Sequence, residues 1–406
     1  MANFVTGLDI GSSQMKCVVA EEGRDAIEIV AALRHPSAGL RKGIIVDVED
    51  ATNMLRELVL DLQKISKRAV HDVYVNVSGE HIKSRVSRGT TVVSRPDQEI
   101  QQDDVERVLH SAKAVKLTQN HTVLHNIPRE FFIDDVGDIE NPLGMTGNRL
   151  EVSTVIVEVF APQLNLLIKT LERVGLRIGG LIFNPLASGK AVLTQKQKEL
   201  GVVLIDLGFG TTSLAVFEEN KLVHAKTIPL GVGHVTNDIA IGFKMSVEGA
   251  EKMKLTYGFA SAREVSRKDV INLSDFDPSL QGEGSKRFLA EVIEVRLAEI
   301  LDLVNNELKS LGPTLQLPSG AVVTGGGVKM KGLTELVRKE LRLPVHIGYP
   351  SLAGFEILNP THQELLDDPE FATAVGLMLW AKSESRGAGL RLSPKIVKEF
   401  LKRLMP

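Results

Sequence analysis

The chain runs to 406 residues, longer than one hydrophobic core usually organises, so two or more domains are expected. Its 43% hydrophobic and 24% charged content is that of a soluble globular protein, and a formal net charge of −3 excludes the broad basic field of a bulk nucleic-acid binder. A lone cysteine, Cys17, excludes an intrachain disulfide, and no basic-apolar leader or apolar run of about eighteen residues is present, which predicts a cytosolic setting.

In chain order, "FVTGLDIG" and "KCVVAEE" predict a hairpin around a glycine turn, and "AIEIVAALRH" a third strand. "VEDATNMLRELVLDLQKISKRA" carries Met54, Leu55, Leu58, Leu62 and Ile65 at helical spacing, and "DVYVNVSG" returns to strand period. Residues 81–160 break this rhythm with a strand near "TTVVSR", a helix from Asp103 and Asp104, and strands "TVLHNIPREFFID" and "RLEVSTVIVEVF". They predict an inserted small α/β subdomain with its own sheet. The helix "QLNLLIKTLERVG" resumes the earlier plan. From residue 199 the opening repeats as "GVVLIDLG", "TTSLAVFEE" and "KLVHAKTIPLG". Helices near 232–257 and 286–311, the strand "GAVVTGGG", the helix "GLTELVRKEL" and the strand "PVHIG" follow. Repetition at a domain-sized period predicts two related α/β domains facing one another. The expected division is 1–80 with 161–198, an insert over 81–160, a second domain over 199–381 with its own insertion near 226–310, a linker over 382–393 and a terminal helix over 394–406.

Each half thus writes strand, acid, glycine, hydroxyl, strand. Asp9, Gly11, Ser12 and Ser13 form the first such turn; Asp206, Gly208, Gly210, Thr211 and Thr212 form the second. Glycines bring backbone N–H groups close to phosphate oxygens, and neighbouring hydroxyls add donors. Lys16 can reach back over the first turn as a charge-assisted donor. Carboxylates at the two strand ends, Asp9 and Asp206, suit Mg²⁺ held through water. Either turn alone fits a plain hairpin; two in a repeated frame predict a nucleotide clamp. Gly325, Gly326 and Gly327 leave bare backbone between a strand and a helix, which fits either a closely packed strand–helix turn or a surface for flat adenine or ribose.

These segments resemble the phosphate, connecting and adenosine motifs of the superfamily of actin, the Hsp70 chaperones and the sugar kinases. They read "GLDIGSSQMK", "LIFNPLASGKAVL", "VLIDLGFGTT", "VVTGGGVKMKGL" and "FATAVGLMLWA". Over essentially 1–406, with "DDVERVLHSAKAV", "NPLGMTGNRLEV" and "AEKMKLTYG" in the inserted parts, the chain resembles the FtsA family of bacterial cell-division proteins. The resemblance implies duplicated actin-like (ribonuclease H-like) domains around a central nucleotide cleft that takes ATP and Mg²⁺. It places Met330, Glu251 and Lys254 beside the adenosine. Asn184 falls where many relatives carry a Glu, Gln or Asp that orients the attacking water; its amide is no base, so at most very slow hydrolysis is expected. The resemblance also implies self-assembly into filaments, other divisome partners, and a grip on the C-terminal peptide of FtsZ near Arg296. The runner-up is a PilM-like actin-fold adaptor of type IV pilus assembly.

On a helix, Val397, Phe400, Leu401 and Leu404 share one face with Ile396 at its edge, while Lys398, Lys402 and Arg403 populate the rest. Such a helix suits an anionic membrane surface, or docking on the protein's own body or on a partner; the resemblance implies the membrane, at the cytoplasmic face of the division septum.

Overall fold

The computed structural model describes residues 3–23, 27–114 and 116–385. The expected terminal helix at 394–406, with its membrane residues, lies outside these residues.

Strands β1 (Asn3–Ile10), β2 (Gln14–Glu22) and β3 (Ile27–Pro36) form the first antiparallel meander, with Asp9 paired across from Lys16. A small β4–β5 ribbon (Leu40–Arg41, Ile44–Ile45) leads into α1 (Val48–Ile65). Asp47 starts that helix by accepting the N–H groups of Glu49 and Asp50. Its buried stripe of Leu55, Leu58, Val59 and Leu62 packs onto the sheet, and β6 (Val73–Val77) then joins β1 in parallel.

The insert holds β7 (Lys83–Val92), α2 (Gln102–Lys113), β8 (His121–Ile133), β9 (Val136–Ile139) and β10 (Arg149–Phe160) in a sheet ordered β7-β10-β8-β9. Strand β7 begins well before the expected "TTVVSR", because its polar, half-exposed residues hide the strand period. The insert touches both halves of the molecule. Phe183 N–H donates to His125 Nε2 at 2.9 Å on one side, and Ser84 Oγ donates to the Ala225 carbonyl at 2.7 Å on the other.

After α3 (Ala161–Arg173), β11 (Ile178–Phe183), α4 (Asn184–Val192) and α5 (Gln195–Leu200), the second meander is β12 (Val202–Leu207), β13 (Thr212–Glu218) and β14 (Lys221–Ile228). The expected helix over 232–257 is two, α6 (Val232–Phe243) and α7 (Val247–Tyr257), divided at Lys244, whose φ of 54° ends the first turn-by-turn. A β15–β16 ribbon (Val270–Asn272, Glu283–Ser285) and the long α8 (Lys286–Ser310) complete this insertion. Then come β17 (Ala321–Thr324), α9 (Leu333–Leu341), β18 (Val345–Ile347), β19 (Phe355–Glu356), α10 (Pro360–Leu366) and α11 (Ala372–Ser385).

Two large sheets result, β11-β6-β1-β2-β3-β19 and β14-β13-β12-β17-β18. The expected domain limits need correction here. Strand β19 pairs with β3, and α11 packs on β1 and β6, so the end of the presumed second domain returns to the first sheet. Helix α4, assigned to the first domain, packs on β12 and β13 of the second sheet. The two helices cross so closely that a Cβ on Gly376 would overlap the Ala187 carbonyl oxygen. One apolar cluster spans the crossing, joining Val18 and Ile29 to Leu204, Phe217, Ala374 and Met378. Helix α11 also runs to Ser385, four residues into the expected linker.

Candidate nucleotide cleft

The two glycine turns face each other. A Cβ on Gly210 would sit 2.7 Å from Ser12 Oγ, and Gly43 N–H donates to that same oxygen at 3.1 Å. Between the sheets lies a cleft of about 520 Å³, within the range that holds small-molecule ligands. Asp9, Gly11, Ser12, Ser13, Lys16, Asp206, Gly208, Gly210, Thr211, Glu251, Lys254, Gly325, Gly326 and Met330 all line it. Thr212 does not: its buried hydroxyl donates to the Leu230 carbonyl at 2.8 Å and pins the turn from behind.

Asp9 and Asp206 are each 8% exposed and are joined by amides. Asn76 Nδ2 donates to Asp9 Oδ1 at 2.7 Å and to Asn184 Oδ1 at 3.0 Å; Asn184 Nδ2 donates to Asp206 Oδ2 at 3.0 Å. Thr373 Oγ1 adds a second donor to Asp206 Oδ2 at 3.2 Å. Asn184, at the start of α4, is therefore a strut between two carboxylates. Burial pushes the Asp9 carboxyl up to about 6, against the pull of Lys16 at 3.9 Å, and Asp206 and Glu370 push the same way. Burial raises Asp206 as well, opposed by the Asn184 and Thr373 hydrogen bonds.

On the wall where adenosine is expected, Gly325 has φ 86°, and a Cβ there would collide with Asp206. Glu251 and Lys254 pair at 2.6 Å, but not as a solvated surface couple. Lys254 is only 4% exposed, also donates to Thr236 Oγ1 at 2.8 Å, and sits 5.6 Å over the Phe209 ring. Burial lowers the Lys254 ammonium from its ordinary range, against the pull of Glu251.

Arg296 lies away from the cleft on α8. Its guanidinium is engaged by Asp238 through Nε and Nη2 and by Glu299 through Nη1, so any acidic ligand there competes with bound carboxylates. Asn76, Thr373 and Glu370 escaped the sequence reading. Asn76 carries a weak signal, a polar residue in a strand of valines, while the other two become visible only when α11 crosses back.

The model for "Cell division protein FtsA" matches residues 203–376, and that for "SHS2 domain inserted in FTSA" matches 79–158. The chain is 34% identical to the Cell division protein FtsA of Pseudomonas aeruginosa, covering 96% of this chain and 92% of that one. Against the Bacillus subtilis protein of the same name it is 33% identical, covering 98% and 88%. Among solved structures, it resembles a PilM-PilN type IV pilus biogenesis complex at TM-score 0.66 and 20% identity, over 93% of this chain and 98% of that chain. Spiroplasma citri MreB 5 bound to AMPPNP matches at TM-score 0.57 and 14% identity, over 95% and 98%. The fold is actin-like, with an inserted SHS2 domain.

Proposed function

This chain belongs to the FtsA family of cell-division proteins, and on that premise we propose that it is a nucleotide-gated adaptor of the division septum. ATP closes the cleft and favours self-assembly into a filament. The filament holds the C-terminal peptide of FtsZ against anionic lipid at the cytoplasmic face of the membrane, where other divisome proteins join it. The observation that carries this reading is the opposition of two glycine cradles across one cleft, Gly210 against Ser12.

The donor set fits Mg²⁺. Asp9 and Asp206 are buried carboxylates with open acceptor oxygens and Lys16 as the nearest counter-charge, and together they would hold the hydrated ion, which neutralises phosphate charge when bound. Gly11 N–H donates to the Gln14 carbonyl at 3.1 Å and Gly208 N–H to the Thr211 carbonyl at 2.9 Å, so Lys16 and the other backbone N–H groups of the two turns bind phosphate oxygens; Gly325, Gly326 and Met330 receive the adenosine, with Glu251 and Lys254 beside it. Asn184 spends both ends of its amide on Asp206 and Asn76, leaving no general base at this position, which supports slow turnover. Among the described residues no helix is long and apolar enough to cross a membrane. Lipid contact is assigned to the terminal Ile396, Val397, Phe400, Leu401 and Leu404 with Lys398, Lys402 and Arg403. One copy binds weakly, and a filament binds through many.

Co-sedimentation tests this. The full chain pellets with anionic vesicles, more so with ATP and Mg²⁺, and carries FtsZ tail peptide down with it. A chain ending at Ser385 stays in the supernatant. Equal pelleting of both removes the membrane role, and failure of the full chain to retain ATP removes the nucleotide role.

A further inference from the structure

The cleft wall carries a charged group to which the nucleotide reading gives no role, although Lys329 within it belongs to the "VVTGGGVKMKGL" segment. Arg34 comes from β3 of the first sheet, and Lys329 from the turn after β17 of the second. Both meet the same two carboxylates, on the segment that links β17 and its neighbours to α11. Asp368 Oδ2 takes Arg34 Nη2 at 3.2 Å and also Lys329 Nζ. Glu370 takes Arg34 through Oε2 at 3.3 Å and Lys329 through Oε1 at 3.0 Å. Each acid therefore holds one cation from either side.

The segment between them is itself fixed. Pro369 O accepts from Thr324 Oγ1 at 3.2 Å and from Gly325 N–H at 3.3 Å, and Asp368 Oδ1 accepts the Glu370 N–H at 3.0 Å. Arg34 also lies 5.5 Å over the Phe371 ring. Arg34, Lys329 and Glu370 all line the cleft, and Glu370 bears on Asp9. Moving the sheets apart at this end separates Arg34 from Lys329, and the carboxylates can follow only one of them.

Building on the nucleotide reading above, we infer that Arg34 and Lys329 are further positioning residues of the cleft, acting through Asp368 and Glu370 to bar its mouth and set the rate at which nucleotide leaves. All four side chains are partly in contact with water, so the bar is a tunable latch. It weakens as salt shortens the Debye length from about 10 Å at 0.1 M to about 3 Å at 1 M.

Release of a fluorescent ATP analogue from the full-length protein, chased with unlabelled ATP, tests the inference. Lys329→Ala and Arg34→Ala each release it about three- to tenfold faster, the span expected for linked, partly exposed pairs. Lys329→Arg, which keeps the charge, restores slow release, and added salt speeds the wild type more than Lys329→Ala. Matched thermal melts separate these effects from misfolding. Release at the wild-type rate from both alanine variants, or a wild type indifferent to salt, overturns the bar and leaves the nucleotide reading standing. A wild type that retains no analogue overturns both.

Discussion

The two glycine turns are near copies in sequence, yet their acids are anchored differently. Asp9 is held within its own sheet, by Lys16 across the hairpin and by Asn76 on the neighbouring strand. Asp206 is held from elsewhere, by Asn184 at the head of α4 and Thr373 at the head of α11, the two helices that cross between the sheets. The first acid is a fixed post. The second is tied to the crossing, so any change in how the halves sit reaches it directly. The two halves share the turn, and the crossing makes their acids unequal.

The largest test of this inequality is Gly376→Ala. The added methyl overlaps the Ala187 carbonyl and pushes α4 away from α11, costing about 3 kcal/mol or more in denaturant unfolding. It also displaces the partners of Asp206 while leaving those of Asp9 in place, so ATP binding weakens even under conditions where the variant stays folded.

Next comes pH. In the fold the Asp9 carboxyl titrates at about 6 rather than its ordinary 3.8, so the unfolded chain gives up that proton first as pH rises. The contribution to stability is fully present below about 4 and lost as pH rises through about 6, amounting to about 3 kcal/mol at most. Asp9→Asn, which mimics the protonated acid, flattens this slope in melts of the nucleotide-free protein. It raises stability at pH 8, changes little at pH 4, and abolishes Mg²⁺-dependent ATP binding. A slope that persists unchanged in Asp9→Asn places the titration elsewhere.

The smallest effect is at the strut. Asn184→Ala leaves Asp206 and Asn76 each one partner short and costs about 1–3 kcal/mol by chemical denaturation. Asn184→Asp, by contrast, faces an acid with another acid and weakens the empty protein more at pH 8 than at pH 5.

Much of this was legible in the sequence because it is local. Glycine, acid and hydroxyl stand within a few positions of each other in "GLDIGSS" and "VLIDLGFGTT", and the meanders on either side keep a strand period through buried valines and leucines. What escaped is long-range. Asp206 meets Thr373 across 167 positions and Asn76 meets Asn184 across 108, distances at which spacing carries no signal. The membership of α11 is hidden for the same reason: sequence order sets it after β17, α9 and β18 of the second half, while Gly7 leaves bare backbone on β1 for it to pack against. The start of β7 and the four-residue β9 were obscured by exposed polar side chains that break alternation.

The crossing of α4 and α11 also bears on how the molecule is made. The face of β1 around Gly7 leaves the ribosome among the earliest parts of the chain, but the helix that covers it ends at Ser385. Until that helix emerges, the apolar face of β1 that it covers has no partner on that side. The packing that joins α11 to β1 and to α4 is therefore among the last contacts the growing chain can make.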